Sequence, residues 1–185
     1  MPIVIGAKPE SHFQDPLGLL TDCHRRVEGF LSVLSKVANQ AGGGALTQEQ
    51  RAALETALRY FKEAAPKHTA DEEQSLFPRL RAIDRPDLHE IIERVAALEK
   101  DHTEAEADHA EVDRLGREWL SADRLAENDA LRLVQLLAKL SGHYQSHIAI
   151  EEREVFPAAA AALSKSQREA VGAEMAARRG LPPAP

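Results

Sequence analysis

Histidines and glutamates recur in this chain at spacings that suit cation binding. The clearest case is one phrase written twice. Its first copy is His68-Thr69-Ala70-Asp71-Glu72-Glu73-Gln74-Ser75-Leu76-Phe77-Pro78, and its second is His147-Ile148-Ala149-Ile150-Glu151-Glu152-Arg153-Glu154-Val155-Phe156-Pro157. Both read His-x-x-x-Glu-Glu-x-x-apolar-Phe-Pro. A weaker pair accompanies them at nearly the same offset: Asp22-Cys23-His24 with Glu28, and Asp101-His102 with Glu106. Two motifs repeated together point to a duplicated helical hairpin, with a period too long for a solenoid. Imidazole nitrogen and carboxylate oxygen form a mixed donor set that suits iron or manganese better than a closed thiolate zinc site.

These residues must be positioned by helices, and the sequence draws them. Asp15-Pro16 is a helix start, with Asp as N-cap and Pro at the first helical position. The stripe Leu17, Leu20, Val27, Leu31, Leu34 and Ala38 carries that helix to Ala41, and Gly42-Gly43-Gly44 stops it. Thr47 with Gln50 opens a second helix as a capping box, and its stripe runs from Leu54 through His68 and Glu72 to Leu76. Pro66 should kink it just before His68. Asp87 with Glu90 reads as another capping box and opens a third helix on Leu88, Ile91, Val95, Leu98, His102, Ala105, His109, Val112 and Trp119. Residues 121–128 read as a loop, in which Ala122 to Glu127 could form a helical turn. The fourth helix carries Leu133, Leu136, Leu140, His143, His147, Glu151 and Val155 and ends near Leu163. Ser166 with Glu169 marks the start of a short fifth helix through about Arg179.

The expected architecture is therefore all-α: an up-down-up-down four-helix bundle with a short fifth C-terminal helix. Residues 1–14 read as an extended arm, 15–163 as the bundle, and 164–185 as the short helix and a tail. His24, His68, His102 and His147 all fall on apolar stripes, so each points inward. Residues four apart lie ~6 Å apart along a helix and about 40° round it, which puts Glu72 level with His68 and Glu151 level with His147. Unpaired buried carboxylates cost several kcal/mol each. Four histidines with two to four carboxylates converging in one interior make a two-metal site the economical explanation.

Each residue also has a plainer reading. His24 and His102 could be hydrogen-bonded core histidines. Glu106 shares a face with His102 but could form a surface salt bridge, and Glu28 more readily so. His143 lies one turn before His147 as a ligand, a supporting donor or a gate. His109 reads as core, and His12 and His89 as surface. Glu73 and Glu152 are rotated about 100° from their neighbours, towards solvent or the backs of the ligands. Cys23 reads as a small buried filler.

Composition narrows the classes. The chain has 185 residues, enough for one domain with a real core, and few aromatics. Its net charge of −7 argues against nucleic acid as the main partner. No run approaches the ~18 apolar residues of a membrane span. The first residues lack a basic region and a long apolar core, which predicts no secretion signal, and a single cysteine suits a reducing cytoplasm. Phosphate-loop, dinucleotide, nucleophile-elbow and His-Glu-x-x-His motifs are all missing.

His24, the His68/Glu72 pair, His102 and the His147/Glu151 pair, one set per helix, resemble the hemerythrin-like family, the HHE cation-binding domain. The resemblance covers residues 15 to 163. It implies a bundle around two non-haem iron ions, with manganese or zinc ranking behind iron. It also implies that Glu72 and Glu151 bridge the metals, that His24 and His68 serve one, and that His102 and His147 serve the other. The chain departs from oxygen-carrying hemerythrins in two places. Glu106 stands where they have a second histidine of the third helix, and His147-x-x-x-Glu151 replaces their His-x-x-x-x-Asp. An added carboxylate favours the ferric state and disfavours reversible oxygen carriage. His143 offers a replacement imidazole. The expected function is binding of dioxygen, nitric oxide or peroxide, or of iron itself, for sensing, protection or storage. The alternatives are a di-iron oxidoreductase (peroxidase-like or nitric-oxide-reducing) and a bundle that metal merely staples.

Overall fold

A computed structural model of the chain describes residues 11–182. The extended arm expected for residues 1–14 lies largely outside that range. Its last four residues make a turn in which the Asp15 amide donates to the His12 carbonyl at 2.7 Å. Asp15 then caps α1 (Pro16–Ala41) by accepting from the Gly18 amide at 3.1 Å. The helix ends at Gly42, φ 52°, followed by Gly43, φ 78°. A Cβ on Gly43 would lie 2.7 Å from the Ala130 Cβ, so the turn needs glycine for space as well as for its left-handed backbone.

The Thr47/Gln50 capping box opens α2 (Gln48–Glu63). The helix breaks at Ala64, and α3 (Ala65–Asp71) restarts with Pro66 in its first turn, the interruption expected there. A π-helical turn, π1 (Glu72–Leu76), leads into α4 (Phe77–Arg81). After a 3₁₀ turn at Pro86–Leu88 comes α5 (His89–Ala122), which Asp123 ends at φ 57°. The fourth arm is α6 (Glu127–Ile150), π2 (Glu151–Val155) and α7 (Phe156–Ala162). The short α8 (Lys165–Arg178) closes the chain. Around the bundle α1 packs on α2, α2 on α5, α5 on α6, and α6 back on α1. The fold is the up-down-up-down bundle with a fifth helix. Among the described residues no helix is long and apolar enough to cross a membrane.

Two starts differ from the sequence reading. Asp87 does not cap α5, because the Arg85 guanidinium grips its carboxylate with bonds of 3.1 and 2.5 Å. The box at the start of α8 is Ser164 with Gln167, two residues ahead of the expected Ser166 and Glu169. Leu163 sets this register: it is buried and extended, so the chain turns immediately after it. Glu169 pairs instead with Lys165.

The π turns have a cause in Pro78 and Pro157. A proline inside a helix lacks an N–H and its ring clashes with the carbonyl four residues back. Here the turn ahead of each proline is widened, and the amides of Phe77 and Phe156 reach back five residues to the carbonyls of Glu72 and Glu151. Both widened turns begin on the inward-facing glutamates.

The apolar interior is split in two. One cluster holds Val27, Leu31, Leu54, Leu58, Leu115, Trp119, Leu136 and Leu140. The other holds Leu20, Leu76, Phe77, Leu98, Val155, Phe156, Val171 and Met175. Each arm passes from one cluster to the other through its histidine: Leu20–His24–Val27, Leu58–His68–Leu76, Leu98–His102–Ala105 and Leu140–His147–Val155. The polar residues form a layer between two greasy halves.

Candidate metal centre

That layer is almost closed to water. His24, His68, Glu72, His147 and Glu151 are all buried, with both carboxylates at 0% exposure. Four imidazole Nε2 atoms point at four carboxylate oxygens. Glu72 Oε1 lies 3.4 Å from His68 and 3.8 Å from His24, while its Oε2 lies 3.6 Å from His102. Glu151 Oε1 lies 3.3 Å from His147, and its Oε2 lies 3.1 Å from His24. Each glutamate thus touches histidines of both halves of the chain.

Among the described residues three groups have ligand-type atoms close enough to share one ion: His24, His68 and Glu72; His102, His147 and Glu151; and, behind the layer, Asp101, His143 and His147. The hydrogen bonding is incomplete in the same place. Both oxygens of Glu72, both of Glu151, and Nε2 of His24 and His147 are buried without a hydrogen-bond partner. Orphaned buried carboxylate oxygens are rare and expensive. A pair of cations between the two glutamates would satisfy them, so the donor set fits the group the family implies.

The backs of the imidazoles are held as well. His102 Nδ1 donates to Glu73 Oε1 at 2.8 Å, and His24 Nδ1 donates to Glu152 Oε1 at 2.9 Å. His147 Nδ1 is 3.4 Å from Asp101 Oδ2. The second glutamate of each Glu-Glu phrase therefore reaches across to the other half and orients its first-helix histidine. His68 Nδ1 has no such partner.

Charges in the layer are coupled. Burial and the neighbouring Glu151 push Glu72 up to about 8. Burial would also raise Glu151, but the His147 and His24 imidazoles close beside it outweigh that and hold the carboxyl well below the usual range. Burial would lower His24, yet the Glu151 and Glu72 carboxylates close beside it push it up to about 10. Burial pulls His68 well below the ordinary histidine value. The two carboxylates recruit positive charge, which protons or metal can supply.

A family model and one relative place the chain. The family model for the hemerythrin HHE cation binding domain matches residues 15–159. The chain belongs to the hemerythrin HHE family. An uncharacterized protein of Haemophilus influenzae (strain ATCC 51907 / DSM 11121 / KW20 / Rd) is 30% identical over 169 residues, covering 90% of this chain and 91% of that protein. HHE domains are cation-binding bundles, and the histidine–glutamate layer is the candidate site in this one.

Not every expected residue reaches the layer of this HHE domain. Glu106 is exposed and stands in the wall of a cleft beside α5. The buried stripe of α5 runs Leu98, Ala105, Val112, and Glu106 lies one residue, about 100°, past Ala105. Glu28 is on the surface, paired with Arg25 at 2.8 Å. His143 sits behind His147, its ring stacked at 6.0 Å, and groups with Asp101 rather than with Glu151.

Sequence reasoning missed Asp71. It is fully buried and takes Arg178 at 2.8 Å and Arg179 at 2.7 Å, both from the C-terminal end of the chain. The second copy of the phrase has Ile150 at the equivalent position. Ser75 accepts from Arg178 at 2.6 Å, and Arg79 clasps Glu174 of α8. The signal was available: the two copies of the phrase differ on the side where α8 docks.

Proposed function

We propose that this HHE domain holds two iron ions between Glu72 and Glu151, with His24 and His68 on one and His102 and His147 on the other. The observation that supports it most is that each buried glutamate reaches histidines of both halves while its oxygens lack hydrogen-bond partners. Iron ranks ahead of manganese or zinc on the resemblance to hemerythrins, while the mixed imidazole and carboxylate donors suit iron and manganese alike. When bound, such a pair supplies redox chemistry and a position for dioxygen, nitric oxide or peroxide. The role that follows is small-ligand sensing, protection or iron storage.

The chain's own residues prepare the site. The apolar clusters above and below keep water from the carboxylates, and Glu73, Glu152 and Asp101 fix the imidazole rings so that Nε2 faces inward. Removing such supports costs metalloproteins about 10–100-fold in metal affinity. Glu73→Ala and Glu152→Ala should weaken metal binding by about that factor, with competition against a chelator as the measurement.

Metal analysis of protein purified without chelator should find about two irons per chain. Loading must also displace the protons that Glu151 and Glu72 hold on His24. Proton release on loading, seen with an indicator dye in weak buffer, and weaker loading at lower pH are therefore expected. A chain without metal, unmoved in stability by chelation, contradicts the reading. A second reading, a di-iron oxidoreductase, is favoured by one feature: a cleft of about 360 Å³ that reaches His102. Steady consumption of peroxide or nitric oxide would select it over storage.

A further inference from the structure

The cleft lies between the α2–α3 arm and α5. Phe61, Pro66 and Ala105 give it an apolar wall, and His102, His109 and Tyr144 face it from α5 and α6. Neither His24 nor His68 lines it. Of the four inward histidine side chains His102 is the most exposed, at 10%, against 8% for His68, 3% for His147 and 1% for His24, and of the four it alone lines the cleft. The cleft therefore meets the layer at the His102/His147 half.

Tyr144 is one turn before His147 on α6, with its ring centroid 6.3 Å from that of His147. Its hydroxyl shares a 2.9 Å hydrogen bond with His109 Nε2. The Phe61 ring packs on the other side of His109 at 5.0 Å, so the pair is held in place. Burial keeps His109 neutral by pulling it down to about 4. With the proton of the neutral imidazole on Nε2, His109 donates to the Tyr144 oxygen and leaves the hydroxyl proton free for a ligand. The acids along the cleft, Glu73 and Glu106, make it a poor route for anions.

We propose that a small neutral ligand able to accept a hydrogen bond reaches the centre through this cleft, binds on the His102/His147 side, and is held there by the Tyr144 hydroxyl. The inference rests on the two-metal reading above. It assigns the open position to the half that the cleft reaches at His102, and it assigns a contact to a tyrosine that the ligand set does not use.

The test uses nitric oxide as the probe and the ferrous-loaded full chain, with rates followed optically and metal content measured on the same samples. Thr103 is exposed in the cleft wall and its hydroxyl bonds only to the Glu99 carbonyl of its own helix, so Thr103→Trp narrows the mouth without touching the layer. It should slow association and dissociation alike. Tyr144→Phe should leave association unchanged and speed dissociation by roughly 2- to 10-fold, the worth of one hydrogen bond. A general structural loss would move metal content instead. Full metal content with both rates unmoved in Thr103→Trp, or dissociation unmoved in Tyr144→Phe, overturns the inference alone. A wild-type chain that takes up no metal overturns the two-metal reading and this inference together.

Discussion

Glu72→Gln is expected to move stability in opposite directions with and without metal. In chelator-treated protein the substitution should leave the melting temperature unchanged or raise it. Glu72 is fully buried beside Glu151, and its carboxyl is pushed up to about 8 from a reference of 4.5. Between those two values the unfolded chain releases the Glu72 proton while the folded chain retains it. The unfolded state therefore binds fewer protons there, and this group's effect on stability becomes steadily more unfavourable as pH rises through that window. A glutamine of the same shape removes the cost, so the gain should be largest near pH 8 and vanish below about pH 4. In metal-loaded protein the sign reverses, because a neutral amide cannot serve as a bridging carboxylate. A ligand that binds only the folded state contributes about 4 kcal/mol when present at about a thousand times its Kd, and Glu72→Gln forfeits that. Paired melting curves across pH, with and without metal, measure both arms. A variant that destabilises both forms equally would show that the carboxylate serves the apoprotein fold and not a cation.

The second large effect concerns the fifth helix. Replacing Arg178 and Arg179 together by alanine leaves Asp71 at 0% exposure with neither cation. Breaking a buried ion pair from one side costs about 3–5 kcal/mol, because the remaining charge is stranded. The double variant should lose about that much in denaturant unfolding, and α8 should become the first segment to exchange its amides. Adding Asp71→Asn should recover part of the loss, since the stranded charge is then gone. That non-additivity separates a buried charge from a simple loss of packing. Asp71 immediately precedes Glu72, so the clasp also steadies the π1 turn on which the first glutamate sits.

Most of this architecture was legible because periodicity and caps agree in the sequence. Asp15-Pro16, the triple glycine and Thr47/Gln50 act locally, and each does in the fold what its chemistry dictates. Asp87/Glu90 and Ser166/Glu169 failed for tertiary reasons: Arg85 takes Asp87, and the buried Leu163 moves the α8 cap two residues forward. A motif offers a cap, and neighbours decide whether it is used.

The layer was legible by a different route. Histidine and glutamate on an apolar stripe, repeated at one offset, had to converge. Glu106 obeyed the same i, i+4 rule and still turned outward, because the buried stripe of α5 runs through Ala105 and leaves its neighbour at the edge. The widened turns at Glu72 and Glu151 could have been inferred from Pro78 and Pro157, each inside a run that keeps its helical stripe. The crossing of Glu73 to His102 and of Glu152 to His24 could not, since spacing along one helix says nothing about which partner lies opposite.

In the proposed centre Glu72 and Glu151 together would bridge two metal ions. Anomalous diffraction at the iron edge, from crystals of protein purified without chelator, tests it most directly. Two peaks are expected between the two carboxylates, one beside His24 and His68 and the other beside His102 and His147. No peak in the layer, or a single peak held by Asp101, His143 and His147 outside it, would contradict the account.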